Sequence, residues 1–581
     1  MQEFLHDDYL ACFLWWAAAL NVGIWLFLGC TTRLWLGSSD PSEALDRSKH
    51  WRWMACAAMG LAGWLAAPRL AQSLWDDEQH SALEFVHGQW GREMDDAGQV
   101  QQSFGKVSWW DTALAYRDPN NHPLFSVAAR LSLAAWRWLN DKQAYEFHEV
   151  AFRFPAFVLG LLALPAWGWL ARVFGLRRGA VLLMFLLAVH PWFVRYISEG
   201  RGHAFVLLGL PLWLGSASQA MRTGQWGWWL RMALWQVFLL LSWPGTILPV
   251  VAVQLAWLLL IVRGSRRRFF AWGAANLLSL GLLLQWFLPC IFQCLHSDFE
   301  YPQHAMSGGY VVNFLSHLLM GTVWSAGPLD PPDLTHFLPL SQQNPWQVVG
   351  SVALMLGLVL LALRGWNASR SEPLLRTSFA AAGIAVIACL ALGMWFTTRG
   401  QMPFLFDWYF LWWMPWIYLL VSRGLESLSL SPWLLLPLCL IFLRCERPFL
   451  QRLRTLPIQP MRESVLAMRA STSQDTPDRN TVLTAHLNQM ATLYDPHGYE
   501  VTEMHSSDAA DPGLRDLMQR AQAERKTLFV NVGFPRAARL NYPALMQMVD
   551  QPALFESIAV LPGQELGLSH EIFRYHPPTI P

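Results

Sequence analysis

Three consecutive carboxylates, Asp76, Asp77 and Glu78, follow directly on an apolar stretch that ends near Leu74, and His80 lies two residues further on. The end of a membrane span does not need such a cluster, because adjacent acids repel each other. Carboxylates and histidines are the groups that most often transfer protons in enzymes. The pattern predicts the acidic centre of an active site at a membrane surface, and a charged helix end is the alternative.

Further charged residues stand beside other apolar stretches. Glu199 and Arg201 are two residues apart at the start of a span, and Arg399 lies near a late span. Charges at a membrane edge are usually functional or paired. We therefore interpret Glu199 and Arg201 as part of a substrate site, with a local ion pair as the alternative. Arg399 is a candidate contact to a phosphate, with an ordinary interfacial arginine as the alternative.

One outer loop contains residue types that bind divalent metal ions, namely His296, Asp298, Glu300 and His304. Their spacing matches no compact metal-binding motif and favours a solvated loop. The sequence therefore leaves the cofactor unknown, with a divalent metal ion on Asp298, Glu300 and His304 as one option.

The composition shows what must position these residues. The chain has 581 residues, of which 54% are hydrophobic and only 14% are charged, whereas soluble domains carry about 25% charged residues. Apolar runs long enough to cross a bilayer recur from about Tyr9 to about Leu443. These features predict a helical multi-span membrane protein. The net charge is +1 and no basic, aromatic-interleaved patch is present, so we expect no nucleic-acid partner.

Basic clusters recur where alternating spans would return to the cytoplasm. By the positive-inside rule they predict about twelve spans with both termini outside. The acids at Asp76–Glu78 then lie outside, as do two long loops, 75–149 and 291–347. The segment His122–Leu139 is expected to be an amphipathic helix in the interface. The clusters are Arg47/Lys49/Arg52, Arg172/Arg177/Arg178, Arg222/Arg231, Arg263/Arg266/Arg267/Arg268, Arg364/Arg370/Arg376 and Arg423.

The composition becomes polar after about Leu443, which divides the chain into a membrane part, 1–445, and a small outer α/β domain, 446–581. Alternating strand-like and helix-like patterns predict this second fold. The strand-like runs are Thr481–Ala485, Thr527–Val532 and Ile558–Leu561, and the helical patterns are Gly513–Arg525 and Pro543–Phe555.

Several short motifs follow one another in a characteristic order. The chain resembles the membrane glycosyltransferases of the GT-C fold, in the protein-mannosyltransferase and aminoarabinose-transferase superfamily, and the resemblance is best over residues 70–220. It departs from the usual pattern at Leu124, Gly200 and His203, which is typical of a divergent branch. The motifs are Asp77-Glu78-x-His80, His122-Pro123-Leu124-Phe125, Arg153-Phe154-Pro155-Ala156-Phe157 and Ser198-Glu199-Gly200-Arg201-Gly202-His203.

The resemblance implies inverting transfer of a hexose or pentose from a polyprenyl-phosphate-linked donor. The acceptor would be a protein or glycolipid of the cell envelope. By its motif position, Asp77 is the expected general base, and Glu78 would orient it or the acceptor. His80 matches an aromatic or histidine position of the family, with a packed interfacial histidine as the alternative. His122 occupies the place of the family's His or Lys and is a candidate contact to phosphate, with a loop histidine as the alternative. Glu199 would lie beside the acceptor or a metal, and Arg201 on the donor phosphate.

Two other functions remain open. A transporter or flippase of lipid-linked sugars would use the same phosphate-binding cations without chemistry, and a scaffold would act through the outer α/β domain. Transporters tend to place ionisable residues near the bilayer midplane, whereas here the acids cluster on one face. The compact loops and the lack of a cleavable targeting sequence favour a bacterial inner membrane, with the site and the C-terminus facing outside.

Overall fold

The computed structural model describes residues 2–32, 49–94, 100–116, 120–295, 306, 308–321, 345–401, 407–428 and 435–472. In the C-terminal part it describes 482–487, 493–494, 500–504, 507–533, 535, 538–539, 543–564 and 569–576. Within these residues helices dominate, and strands form one hairpin and one C-terminal sheet.

Apolar helices of membrane-spanning length make up most of the fold, as the sequence predicted. Seven helices in the described part of the chain are long and apolar enough to cross a bilayer: Trp51–Ala71, Glu149–Val173, His203–Thr223, Pro244–Val262, Arg266–Ile291, Val349–Ser371 and Pro373–Thr398. Trp15–Cys30 and Arg178–Val189 are shorter apolar helices. A helical integral membrane protein is thus confirmed, while the number of about twelve spans stays a prediction.

In the first half of the chain, the described residues form twelve α-helices and the hairpin. They are α1 Gln2–Cys30, α2 Lys49–Ala66, α3 Asp76–Ser81, β1 Gly88–Met94, β2 Val100–Lys106, α4 Trp109–Leu114, α5 Pro123–Leu139, α6 Glu149–Val173, α7 Arg178–Val189, α8 Pro191–Tyr196, α9 His203–Thr223, α10 Trp226–Ser242, α11 Ile247–Val262 and α12 Arg266–Leu295. A 3₁₀ turn, Ala67–Ala71, continues α2 toward the acidic residues.

The second half adds further helices and the sheet. They are α13 Gly308–Met320, α14 Pro345–Ala368, α15 Pro373–Thr398, α16 Met414–Glu426, α17 Leu435–Thr455, α18 Met461–Thr472, β3 Val482–Leu487, β4 Glu500–Met504, α19 Ser507–Ala523, β5 Thr527–Gly533, α20 Pro543–Val549, β6 Phe555–Leu561 and β7 His570–Tyr575.

Glycines let two membrane helices approach until their backbones touch. A Cβ on Gly365 of α14 would collide with the Leu420 carbonyl of α16, and a Cβ on Gly424 would collide with the Leu361 carbonyl. Lipid tails are as apolar as side chains, so helix association in a membrane depends on such close packing rather than on the hydrophobic effect. These glycines therefore hold the α14–α16 pair together.

The first of the two long loops, 75–149, which the sequence predicts to lie outside, is largely structured in its described residues. It contains the acidic helix α3, the antiparallel hairpin β1–β2 and the helix α5, which confirms the predicted helix in this segment. The hairpin was not predicted, because its strands carry several glycine and polar residues and lack the apolar alternation that marks a half-buried strand. Gly88 begins it with a positive φ, and a Cβ there would collide with the Gly105 carbonyl.

The C-terminal sheet has the strand order β4-β3-β5-β7-β6. Strand β3 pairs in parallel with β4 and β5, whereas β7 pairs antiparallel with β5 and β6. The three predicted strand runs and both predicted helical patterns are present, so the small α/β fold is confirmed. Strands β4 and β7 were not predicted. Helix α17 runs through residue 446, where the sequence placed the start of this domain.

Candidate active site

The acidic triplet forms the first turn of a short helix. Asp76, Asp77 and Glu78 begin α3, where the free backbone N–H groups and the helix dipole favour negative charge. Residues of the C-terminal part secure this helix start. Gln459 Oε1 accepts the Asp76 N–H at 2.7 Å, and the Tyr494 hydroxyl accepts the Leu74 N–H, also at 2.7 Å.

Glu78 is buried and both of its oxygens are occupied. Arg153 Nε donates to Oε1 at 2.7 Å, and Arg153 Nη2 pairs with Oε2. The Gly200 N–H also donates to Oε1. The remaining N–H groups of Arg153 donate to backbone carbonyls that include Gln72 at 2.6 Å and Ser73 at 3.0 Å. Glu78 thus joins the acidic helix to α6 and to the turn at residue 200, and it has no free oxygen for a substrate.

Asp77 occupies the more accessible position. Its side chain is 31% exposed, whereas that of Glu78 is fully buried. Arg201 Nη1 lies 3.0 Å from Asp77 Oδ2, and Arg201 Nη2 donates to Asn120 Oδ1 at 2.6 Å. The buried guanidinium therefore fixes the orientation of a carboxylate that stays open to an incoming group.

A second ion pair joins α8 to the turn between α8 and α9. Glu199 is buried, with its Oε2 3.4 Å from Arg195 Nε. Burial raises the pKa of Glu199 to about 7, although the charges of Arg195 and Arg201 oppose that shift. Arg69, also buried, donates from Nε to Ser198 Oγ at 2.7 Å and so ties the end of α2 to this turn.

His122 is neutral. Burial lowers its pKa to about 3, and the nearby Arg201 charge acts in the same direction. Its Nδ1 lies 2.9 Å from the Ser242 carbonyl, so Nδ1 carries the proton and donates it. The His203 ring centroid is 5.9 Å from that of His122. Positive charge on this side of the site therefore comes from arginine and not from His122.

Positive charge exceeds negative charge in this cluster, and some of its buried polar atoms are unsatisfied. Four buried arginines, Arg69, Arg153, Arg195 and Arg201, accompany three carboxylates, Asp77, Glu78 and Glu199. Three buried atoms of this cluster, Arg201 Nε, Glu199 Oε1 and His203 Nδ1, have no hydrogen-bond partner among the described residues. Because buried polar atoms are normally paired, these atoms are available to a ligand or to water.

The structure brings together five of the predicted site residues, namely Asp77, Glu78, His122, Glu199 and Arg201. His80 lies one turn along α3, half-buried, with its ring centroid 5.6 Å from that of Phe85. Arg399 is exposed and stacks over Trp395 at 4.4 Å. No hydrogen bond or ion pair in the described part of the chain joins Arg399 to the cluster.

Three arginines of the cluster were not predicted as site residues. Arg153 stands inside one of the quoted motifs, Arg195 lies in the polar segment before Glu199, and Arg69 lies near the end of α2. The available signal was an arginine within or beside an apolar stretch, because such charges are costly unless they are paired or functional. The sequence alone did not reveal that distant segments bring these arginines together.

The described residues do not provide a metal site. They contain no group of three or more His, Cys, Asp or Glu side chains able to hold an ion. Both oxygens of Glu78 are already occupied by Arg153 and Gly200. The predicted candidates Asp298, Glu300 and His304 lie outside the described residues, so their role stays a prediction.

No protein-family model and no curated protein matches the sequence. ArnT from Cupriavidus metallidurans is similar in its apo state, with a TM-score of 0.41 and 11% identity over 90% of this chain and 98% of that one. Its complex with undecaprenyl phosphate gives a TM-score of 0.40 and 12% identity over 91% and 98%. An Archaeoglobus fulgidus oligosaccharyltransferase, tethered to an acceptor peptide, gives 0.44 and 10% over 89% and 73%. These proteins belong to the class that the sequence motifs resemble.

Proposed function

We propose that the protein is a membrane glycosyltransferase that transfers a sugar from a polyprenyl-phosphate-linked donor to a hydroxyl acceptor with inversion. The observation that carries the proposal is the pairing of accessible Asp77 with buried Arg201. Both belong to a cluster in which arginines outnumber carboxylates. This arrangement lies directly after a membrane-spanning helix, where a lipid-linked substrate is within reach. The ordered sequence motifs give independent support.

The proposed reaction is a single displacement. The acceptor oxygen attacks the anomeric carbon while Asp77 takes the hydroxyl proton, because a neutral hydroxyl is a poor nucleophile. A C–O bond forms on one face, and the bond to the lipid phosphate breaks on the other. The phosphate leaves with the bonding electron pair, and Arg201 stabilises its negative charge, with Nε as a free donor.

The remaining candidates take other parts in this proposal. Glu78 positions α3 rather than touching substrate, because both its oxygens are occupied. Glu199 is assigned to the acceptor or a metal and His122, which lies near Arg201, to the donor phosphate. His80, in the next turn of α3, stays a candidate substrate contact. Arg399 is a phosphate contact only for a substrate that reaches the end of α15.

We also assign the reaction to the outer face of a bacterial inner membrane. The one-sided distribution of acids and the basic inner loops of the sequence support this orientation. The α/β domain proposed for residues 446–581 lies on the same side as α3, because Gln459 and Tyr494 contact the start of α3. The donor sugar and the acceptor, a protein or glycolipid, are to be identified from the envelope glycans of a deletion strain.

Replacing the accessible carboxylate tests the proposal. We expect Asp77→Asn to lower sugar transfer by about 10²- to 10⁴-fold, the usual contribution of a general base. The measurement is the glycan product, by mass spectrometry, after complementation of the deletion strain and with the purified protein. Asp76→Asn is the matched control, because Asp76 is the neighbouring, similarly exposed acid of α3 and should retain transfer.

Two outcomes would contradict the enzyme assignment. Undiminished transfer by correctly folded Asp77→Asn would exclude Asp77 as the base. Movement of lipid-linked sugar across vesicle membranes without any glycosyl product would favour the flippase instead.

A further inference from the structure

A cavity separate from the acidic site lies between the end of α2 and the helix α17. Its volume is about 560 Å³. The apolar part of its wall includes Trp64, Leu65 and Leu450, and its polar part includes Arg447 and Arg454. An apolar wall beside two guanidinium groups fits a molecule that has a hydrocarbon chain and an anionic head.

The two arginines carry positive charge that no carboxylate of the described residues neutralises. Arg454 stacks over Trp64 with its Cζ 3.9 Å from the ring centroid, and Arg447 is exposed. Neither arginine forms an ion pair with another described residue. Trp64 is 59% exposed, and exposed tryptophan and arginine together are typical of the headgroup level of a membrane.

The position of the cavity in the fold agrees with that level. Trp64 and Leu65 lie in the last turn of α2, near the end of the membrane span Trp51–Ala71. Helix α17 packs against the following turn, Ala67–Ala71, which leads to the acidic helix. The arginines of α17 thus lie at the same end of α2 as the acids, opposite Arg52.

This placement departs from the expected distribution of basic residues. If the acids face outward, Arg447 and Arg454 are outer arginines, whereas basic residues concentrate in inner loops. Charge concentrated at a headgroup boundary without a protein partner is complementary to lipid phosphate.

We propose that this cavity binds an anionic phospholipid of the surrounding bilayer, with its phosphate between Arg447 and Arg454 and an acyl chain along the apolar wall. The occupant is bulk lipid and not the sugar donor. Asp77, Arg201 and its partner Asn120 do not line the cavity, so it is separate from the proposed donor site. The inference does not depend on transfer activity.

Lipid binding to the purified full-length protein tests the proposal. Native mass spectrometry measures retained phosphatidylglycerol against retained phosphatidylcholine. We expect selective retention of phosphatidylglycerol, and a loss of about fivefold for each arginine in Arg447→Gln and Arg454→Gln. The charge-preserving pair Arg447→Lys and Arg454→Lys should keep most of the selectivity, which separates charge from a folding defect.

Control experiments test whether retention depends on these two arginines and which phosphate compound the cavity binds. Arg52→Gln, an exposed arginine at the other end of α2, should leave retention unchanged. The proposal is overturned if the double glutamine variant, with an unaltered elution profile, retains phosphatidylglycerol as the wild type does. It is also overturned if undecaprenyl phosphate displaces phosphatidylglycerol at equal concentration, or if inorganic phosphate alone competes fully.

Discussion

At the scale of residues, two adjacent carboxylates with different surroundings have different expected roles. Glu78 is buried in a bidentate pair with Arg153, whereas Asp77 stays partly exposed. Removing one member of a buried pair strands the other charge, so we expect Glu78→Gln to lower the free energy of unfolding by about 3–5 kcal/mol. The surface pair Lys142–Glu146 provides the control, because Lys142→Gln should leave stability nearly unchanged.

Thermal unfolding in detergent measures these differences. Combining Glu78→Gln with Arg153→Met should cost less than the sum of the single changes, because neither charge is then left alone. Full additivity would mean that the pair contributes no coupling. Asp77→Asn should unfold at nearly the wild-type temperature, and a large loss of stability there would assign Asp77 a structural role.

The residue scale also shows what the sequence could reveal about the site. Asp77, Glu78, Glu199 and Arg201 were predictable, because each stands at the end of an apolar stretch in a recognisable order. The ranking of Asp77 over Glu78 came from the motif alone and stays a prediction. The structure adds that Asp77 is the more exposed of the two. The sequence could not show that Arg153 pairs with the Glu78 carboxylate, because 75 residues separate the two partners.

At the scale of elements, the turn between α8 and α9 depends on a residue without a side chain. A Cβ on Gly200 would collide with the Phe152 ring and lie 3.0 Å from Glu78 Oε1. Gly200 is one of the positions where the chain departs from the resembling family, and close packing against α6 explains the departure. A Cβ on the neighbouring Gly202 would lie only 2.6 Å from His122 Nδ1.

We expect Gly200→Ala to destabilise the protein by about 1–3 kcal/mol, the usual cost of overpacking. It should also reduce transfer, because the added methyl group displaces Glu78 and with it the acidic helix. Shortening the ring with Phe152→Leu should restore part of both properties. Gly60→Ala is the control, since a Cβ at Gly60 has no neighbour within 4 Å. Wild-type stability and transfer in Gly200→Ala would contradict this packing.

Helices and strands were predictable where apolar residues recur at the spacing of one kind of element. Helix α5 and the strands β3, β5 and β6 follow apolar patterns of the expected spacing. The hairpin β1–β2 escaped prediction because its pairing depends on contacts between strands rather than on an apolar pattern within each. Strand β7 lies between β5 and β6 in the sheet, although it is last in the chain, and that order is set by tertiary packing.

At the scale of the whole molecule, the C-terminal part contacts the helices that form the candidate site. Gln459 and Tyr494 accept backbone N–H groups at the start of the acidic helix. Arg462 Nη1 pairs with Glu149 at 2.7 Å, at the beginning of α6. Gln564 Nε2 donates to the Leu456 carbonyl at 2.6 Å. The contacts of Gln459, Tyr494 and Arg462 join the C-terminal part to the two helices that carry Asp77 and Arg153. The contact of Gln564 joins the segment after β6 to the segment after α17.

Removing the two hydrogen-bond acceptors tests this coupling. We expect Gln459→Ala combined with Tyr494→Phe to lower transfer by about 10- to 100-fold when the start of α3 shifts, because small displacements of a catalytic group are costly. The readout is glycan product per folded protein, with folding judged by gel filtration. Arg539→Gln, which breaks an exposed ion pair with Asp550 and Glu571, is the control and should leave transfer unchanged. Wild-type transfer by the double variant would mean that the sheet domain does not position Asp77.

A protein lacking the residues after Thr455 tests the remaining alternative, a scaffold that acts through the outer α/β domain. A scaffold would lose all function, whereas residual transfer would exclude a scaffold.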